Sequence, residues 1–140
     1  MPYRVKLFEA TVQKTNLILD DIESELGWEG QRNQSYAAMR VVLHALRDRL
    51  PVNDVAKLGA QLPTLLRGIF YEGWDPHAVP HKMNKEEFLQ KIEENFIAPF
   101  EYRPESVART IMNVLRLHID ANEIEKVENI LPKEFGEILE

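Results

Sequence analysis

Residues 36–70 of this 140-residue chain align without a gap on residues 105–139. Eight of the 35 pairs are identical, where unrelated segments would share about two. Arg40 falls on Arg109, Leu46 on Leu115, Arg47 on Arg116, Asn53 on Asn122 and Lys57 on Lys126. Leu62-Pro63 falls on Leu131-Pro132, and Ile69 on Ile138. Other pairs exchange like for like: Val42/Ile111, Asp54/Glu123, Val55/Ile124 and Leu66/Phe135. A doubling binds the fold tightly, because what one copy forms the other must form as well. One copy has too little core to stand comfortably alone, so the two are expected to pack face to face about a pseudo-twofold axis.

The unit reads as helix throughout. Phe8, Val12, Thr15, Leu19, Ile22 and Leu26 repeat at four and three, which predicts a first helix with those residues as its buried stripe. A glycine-containing loop, "GWEGQRNQ", follows it. Ser35 is the expected N-cap of a second helix that buries Ala38, Val42, Leu46 and Leu50 and stops at Pro51. Asn53 is expected to cap a short helix, and Pro63 to sit in the first turn of the next, with Gly73 as its stop. In the second pass "NKEE" offers Asn84 and Glu87 as a capping box before Phe88, Leu89, Ile92 and Phe96. Pro104 opens a helix carrying Val107, Ile111, Val114 and Leu115; Asn122 caps a short one, and Pro132 starts the last. Phe8 and Val12 pair with Phe88 and Ile92 if the first copy carries an extra stretch before Ser35. The expected architecture is all-α: a compact bundle of about eight long and short helices in a single domain. Its first repeat spans about 5–74 and its second about 84–140, joined by a proline-rich loop at 75–83.

Composition narrows what such a bundle can do. Hydrophobic residues at 44% and charged residues at 29% are those of a globular chain rather than a disordered one. No cysteine is present, which excludes thiolate metal sites and cysteine nucleophiles. A net charge of −6 argues against nucleic-acid binding, which draws its affinity from basic surfaces. The start "MPYRVKLFEA" lacks the apolar run of a signal peptide, and no stretch has the length of a membrane span. A cytoplasmic location without membrane contact is the expectation.

Candidate sites each have a structural alternative. "YEGWDP" gathers Tyr71, Trp74 and Asp75 at a helix exit, as a peptide-recognition surface would; equally, Trp74 can fold back over the core. Arg47, Asp48 and Arg49 lie at a helix end, where arginine complements the dipole and Asp48 can pair with a neighbour. With Arg67, Arg47 and Arg49 would make an anion site. His77 and His81 are four apart, but Pro76 and Pro80 preclude the helical geometry that spacing needs, so no metal site is expected. "DANEIE" has Ile124 where a calcium loop needs an oxygen ligand. Ser35 and Ser106 read as helix-start residues, and no phosphate loop or nucleophile elbow occurs. No catalytic residue and no cofactor are assigned.

The segments "VQKTN", "LHALRDRLP", "AQLP" with its following arginine, "YEGWDP", "KEEFL" and "ILPKEF" give the chain a wider resemblance. It resembles the bacterial domain-of-unknown-function family 2267 over essentially its whole length. That resemblance implies a small all-helical domain and carries no activity, substrate or catalytic residue. The residues themselves favour a noncatalytic protein-binding or regulatory domain, docking a partner or itself through an aromatic patch of Phe70, Tyr71, Trp74 and Phe100. The alternative is a small-ligand binder or enzyme with a pocket between the two repeats.

Overall fold

The structure, a computed structural model, describes residues 4–139, without the side chain of Leu139. The expected end of the second repeat at residue 140 therefore lies outside the described residues. Among them there are eight α-helices and no strand. In chain order these are α1 (Lys6–Leu26), α2 (Arg32–Arg49), α3 (Val52–Gln61), α4 (Thr64–Tyr71), α5 (Lys85–Asn95), α6 (Pro104–His118), α7 (Ala121–Ile130) and α8 (Gly136–Leu139). A 3-10 turn, Lys133–Phe135, leads into the last. The long helices α1, α2 and α6 pack on one another; α5 lies on α2 and α6, and α3 lies against α7. α4 packs on α1 and α2, and α8 on α6. One apolar core joins them, with Leu46, Phe70, Ile111, Leu115 and Phe135 all closed to solvent.

The two Leu-Pro pairs are one device used twice. Proline restricts the residue before it to extended backbone. Leu62 (φ −82°, ψ 146°) and Leu131 (φ −76°, ψ 151°) accordingly match, as do Pro63 (φ −53°, ψ 147°) and Pro132 (φ −56°, ψ 151°). Both leucines are buried, so each pair ends one helix, anchors the bend in the core and launches the next. Each proline is the N-cap and not a first-turn residue, one position earlier than expected.

Three further expectations need correction. Ser35 is no cap: α2 begins at Arg32, and Ser35 sits a turn inside it, closed to solvent and with no partner for its hydroxyl among the described residues. Ser106 does stand at a helix start, in the first turn of α6, whose N-cap is Arg103. Asn53 and Asn122 also lie inside their helices. Pro51 precedes α3 without a side-chain cap, whereas the Asp120 carboxylate accepts the Asn122 N–H at the start of α7. The Asn84–Glu87 capping box forms as read, and Gly27 closes α1 in the left-handed region that glycine tolerates best (φ +69°).

The larger correction concerns α1. Its buried residues are Thr11, Thr15, Ile18, Leu19 and Ile22, while Phe8 is 64% and Val12 46% exposed. Phe8 stands three residues before Thr11 and seven before Thr15, on the same side of the helix as both. It is uncovered because α1 outruns its neighbours: 21 residues span about 31 Å, against about 22 Å for the 15 of α6. The residues of α1 that share the burial of Phe88 and Ile92 are Ile18 and Ile22. The N-terminal turns of α1, where residues 4–10 are all exposed, thus form an overhang.

Candidate functional site

The sequence-predicted arginines do not meet. Arg47 is buried, donating from Nη1 to the carbonyls of Phe70 (2.9 Å) and Glu72 (2.8 Å) and from Nε to Asp48 (2.8 Å). It thereby satisfies carbonyls at the C-terminal end of α4, which a helix leaves open. Arg49 donates to the Met83 carbonyl at 3.0 Å and lies 5.9 Å from the Phe135 ring centre. Arg67 donates to the carbonyls of Gly59 (2.9 Å), Ala60 (3.2 Å) and Leu62 (3.1 Å), closing the end of α3 at the Leu-Pro bend. The three guanidiniums hold three different pieces of backbone, and no common anion site forms among them.

The aromatic patch divides as well. Phe70 is closed to solvent, and Tyr71 packs on it edge-on at 5.2 Å. The Trp74 ring lies 5.4 Å from that of Tyr71, half-buried against the core, with its Nε1 buried and without an acceptor among the described residues. Phe100 belongs elsewhere, 4.9 Å from Trp28 in a group that includes Phe96 and Tyr102. Asp75 is exposed and accepts the His77 N–H in a local turn (2.9 Å). Among the described residues no group of three histidines or carboxylates stands close enough to hold a metal ion. His44 meets the Ile69 carbonyl at 2.7 Å, and His118 pairs with Asp21 on α1.

Two surfaces remain. The first is the overhang of α1: Val5, Leu7, Phe8, Val12 and Leu17 are all exposed, with Leu65 of α4 nearby at 42%. Leu7, Thr11, Lys14, Leu17 and Ile18 line one wall of a groove of about 370 Å³, with Leu62, Pro63 and Thr64 opposite. Thr11 fixes that groove's geometry, since its Oγ1 accepts the Leu65 N–H at 2.8 Å and its carbonyl accepts the Thr15 hydroxyl at 2.8 Å. The α4 start needs this acceptor because its N-cap is proline, with no side-chain oxygen to offer.

The second surface is the seam between α2 and α5, lined by Arg40, His44, Arg47, Asp48, Lys91 and Asn95. Asp48 holds Arg47 with one carboxylate oxygen and Lys91 (3.0 Å) with the other. Burial works against its charge, but those two hydrogen bonds and the cations behind them outweigh burial and hold its pKa below the usual 3.8. Burial lowers the pKa of His44, and the neighbouring Arg47 and Arg40 lower it further against the pull of the Ile69 carbonyl and Asp48. Neither Lys91 nor Leu7 belongs to a motif in the sequence. Phe8 sitting one heptad before Thr15 was the available signal for the overhang; Lys91, 43 positions from Asp48, had none.

No helix among the described residues is long and apolar enough to cross a membrane. No curated protein matches the chain. A family model described as Uncharacterized conserved protein (DUF2267) matches residues 15–138. That span takes in all the helices except the start of α1 and the last residue of α8, and the chain belongs to this family.

Proposed function

We propose that this is a noncatalytic protein-binding domain that docks a partner through the N-terminal turns of α1. The observation that carries the reading is Phe8. It is 64% exposed on the face that buries Thr11 and Thr15 one and two turns later. Core-facing apolar side chains left open in a cluster mark a place where another apolar surface sits, and a helix with neighbouring groove is a common form of such a site. Leu7, Val12 and Leu65 extend the patch, and Lys6 and Lys14 place positive charge around it on an otherwise acidic chain.

The doubling is part of the same proposal. α1 packs on α6 as α5 packs on α2, α2 meets α6, and α3 meets α7. Exchanging the helices of residues 5–74 for those of 84–140 returns these pairings, which supports two related units, although the packing of α4 on α1 and α3 and of α7 on α6 has no counterpart of similar extent. Within that frame α1 alone has turns to spare beyond the shared core.

Phe8→Asp tests the reading. Being exposed, Phe8 contributes little to folding, so the variant should keep its stability within about 0.5 kcal/mol. Self-association in sedimentation velocity, or affinity capture of a partner, should be lost. A wild-type chain that stays monomeric and captures nothing the variant does not would sink the idea. So would a Phe8→Asp variant that unfolds, because Phe8 would then belong to the core.

A further inference from the structure

We propose that the seam between α2 and α5 binds a small oxyanion, a carboxylate or a phosphate group of low charge, between Arg40, Arg47 and Lys91. The site lies apart from the α1 overhang, and neither reading depends on the other.

The charges in the seam do not balance. Three cations line it against one carboxylate, and Asp48 already divides its two oxygens between Arg47 and Lys91. Arg47 is 4% exposed, and a buried cation that shares its counter-ion is under-compensated. Arg40 on the rim holds Glu72 through Nε (3.0 Å) and Nη2 together, but Glu72 is exposed to water, where an ion pair holds weakly. An oxyanion in the seam would supply the missing negative charge, with hydrogen bonds from guanidinium and ammonium donors that are stronger than neutral ones. The space, about 210 Å³, suits a small acid. Asp48 on the wall sets the upper limit on charge, since a polyanion would be repelled by it.

The surroundings of α1 and α6 make the contrast. Asp48 aligns with Leu117, which is 77% exposed, and His44 aligns with Asn113. The packing of α1 on α6 carries the pair Asp21–His118, and the hollow beside it is lined by one cation, Arg116, and one carboxylate, Glu25. The excess belongs to this seam and not to the fold.

Backbone-amide NMR titration of the full chain tests the proposal, with inorganic phosphate in one series and acetate in another, at ionic strength held constant with chloride. Saturable shifts confined to α2, α5 and the end of α4 are expected, and the tighter series identifies the oxyanion. Lys91→Gln and Arg40→Gln, each removing one charged donor, should each weaken binding about tenfold. Arg109→Gln, at the position aligned with Arg40, should change nothing. The two lysine and arginine variants carry partly exposed side chains, and their spectra report whether each is folded. Shifts that never saturate, that scatter over the surface, or that persist at full affinity in a folded Lys91→Gln or Arg40→Gln variant would overturn the assignment.

Discussion

Arg47 and Arg116 stand at the same position of the two aligned segments and meet different surroundings. Arg47 is 4% exposed and holds the end of α4 through two carbonyls and Asp48. Arg116, with 29% of its side chain exposed, reaches Glu128 on α7 and Asn113 on its own helix. The neighbours diverge in step: His44 is replaced by Asn113, Asp48 by Leu117, Gly59 by Glu128 and Arg67 by Gly136. The two segments share the core stripe and the Leu-Pro bend, and where they share a polar residue, as at Arg47 and Arg116, its partners differ. The polar chemistry is concentrated around α2 and α4. Two segments alike in their core stripe thus differ in their polar contacts, because each polar side chain answers to whatever lies next to it.

The contrast is easiest to break at Arg47. Arg47→Ala removes a buried cation, frees two carbonyls and leaves Asp48 with Lys91 alone. Removing one partner of a buried ion pair costs about 3–5 kcal/mol, so the loss in urea unfolding should fall in that range. Arg116→Ala, at a partly exposed pair, should cost about 1 kcal/mol or less. Equal losses would mean that the two arginines do the same work after all.

Gly59 gives the next largest effect. A Cβ there would stand 2.4 Å from the Tyr71 hydroxyl and 2.8 Å from the ring carbon bearing it. Gly59→Ala is expected to cost about 1–3 kcal/mol through the forced shift of that ring. The same change in a Tyr71→Leu background should cost clearly less, since the two sites touch. If the double-mutant cycle shows no coupling, the close approach of Tyr71 to α3 is not what demands glycine here.

The helices, the Asn84 capping box and the repeated bend were all legible in the sequence, because each depends on residues within one or two turns. The overhang of α1 was not. The stripe read from Phe8 and the observed one share Thr15, Leu19 and Ile22. Periodicity gives the face of a helix but not how far its neighbours reach along it. Ser35, Asn53 and Asn122 are good caps by type, yet Gln31, Pro51 and Asp120 are the N-caps, since cap preference is a local bias that packing overrides. The arginine site failed for a different reason. Charge can be counted in a sequence, but the carbonyls that take up Arg47 come from 23 and 25 positions away.

A smaller effect separates the two short helices α3 and α7. Asp120 accepts the Asn122 N–H at 2.9 Å, whereas Pro51 offers no side-chain acceptor at the aligned position. Asp120→Ala should cost about 1 kcal/mol and Asp120→Asn only a few tenths, because asparagine caps nearly as well. Thermal unfolding of both variants checks this. An alanine variant as stable as the parent would make the two helix starts equivalent.

The smallest difference is one of pH. His44 sits between Arg40, Arg47 and Asp48, with Lys91 across the seam and its Nε2 on the Ile69 carbonyl. Burial and the two arginines hold its pKa below 6.5 in the fold, while the unfolded chain takes up the proton near 6.5. Below that pH the unfolded state binds more protons than the native state, so stability falls with pH until the folded pKa is passed. The contribution is complete above about 6.5. Asn113, at the aligned position, cannot titrate. Replacing His44 by glutamine should therefore flatten the acid-side decline just below pH 6.5 and leave stability at higher pH nearly unchanged. Urea midpoints measured across that window decide it: an unchanged slope in His44→Gln would place the acid sensitivity on carboxylates such as Asp48, whose lowered pKa acts only at more acidic pH.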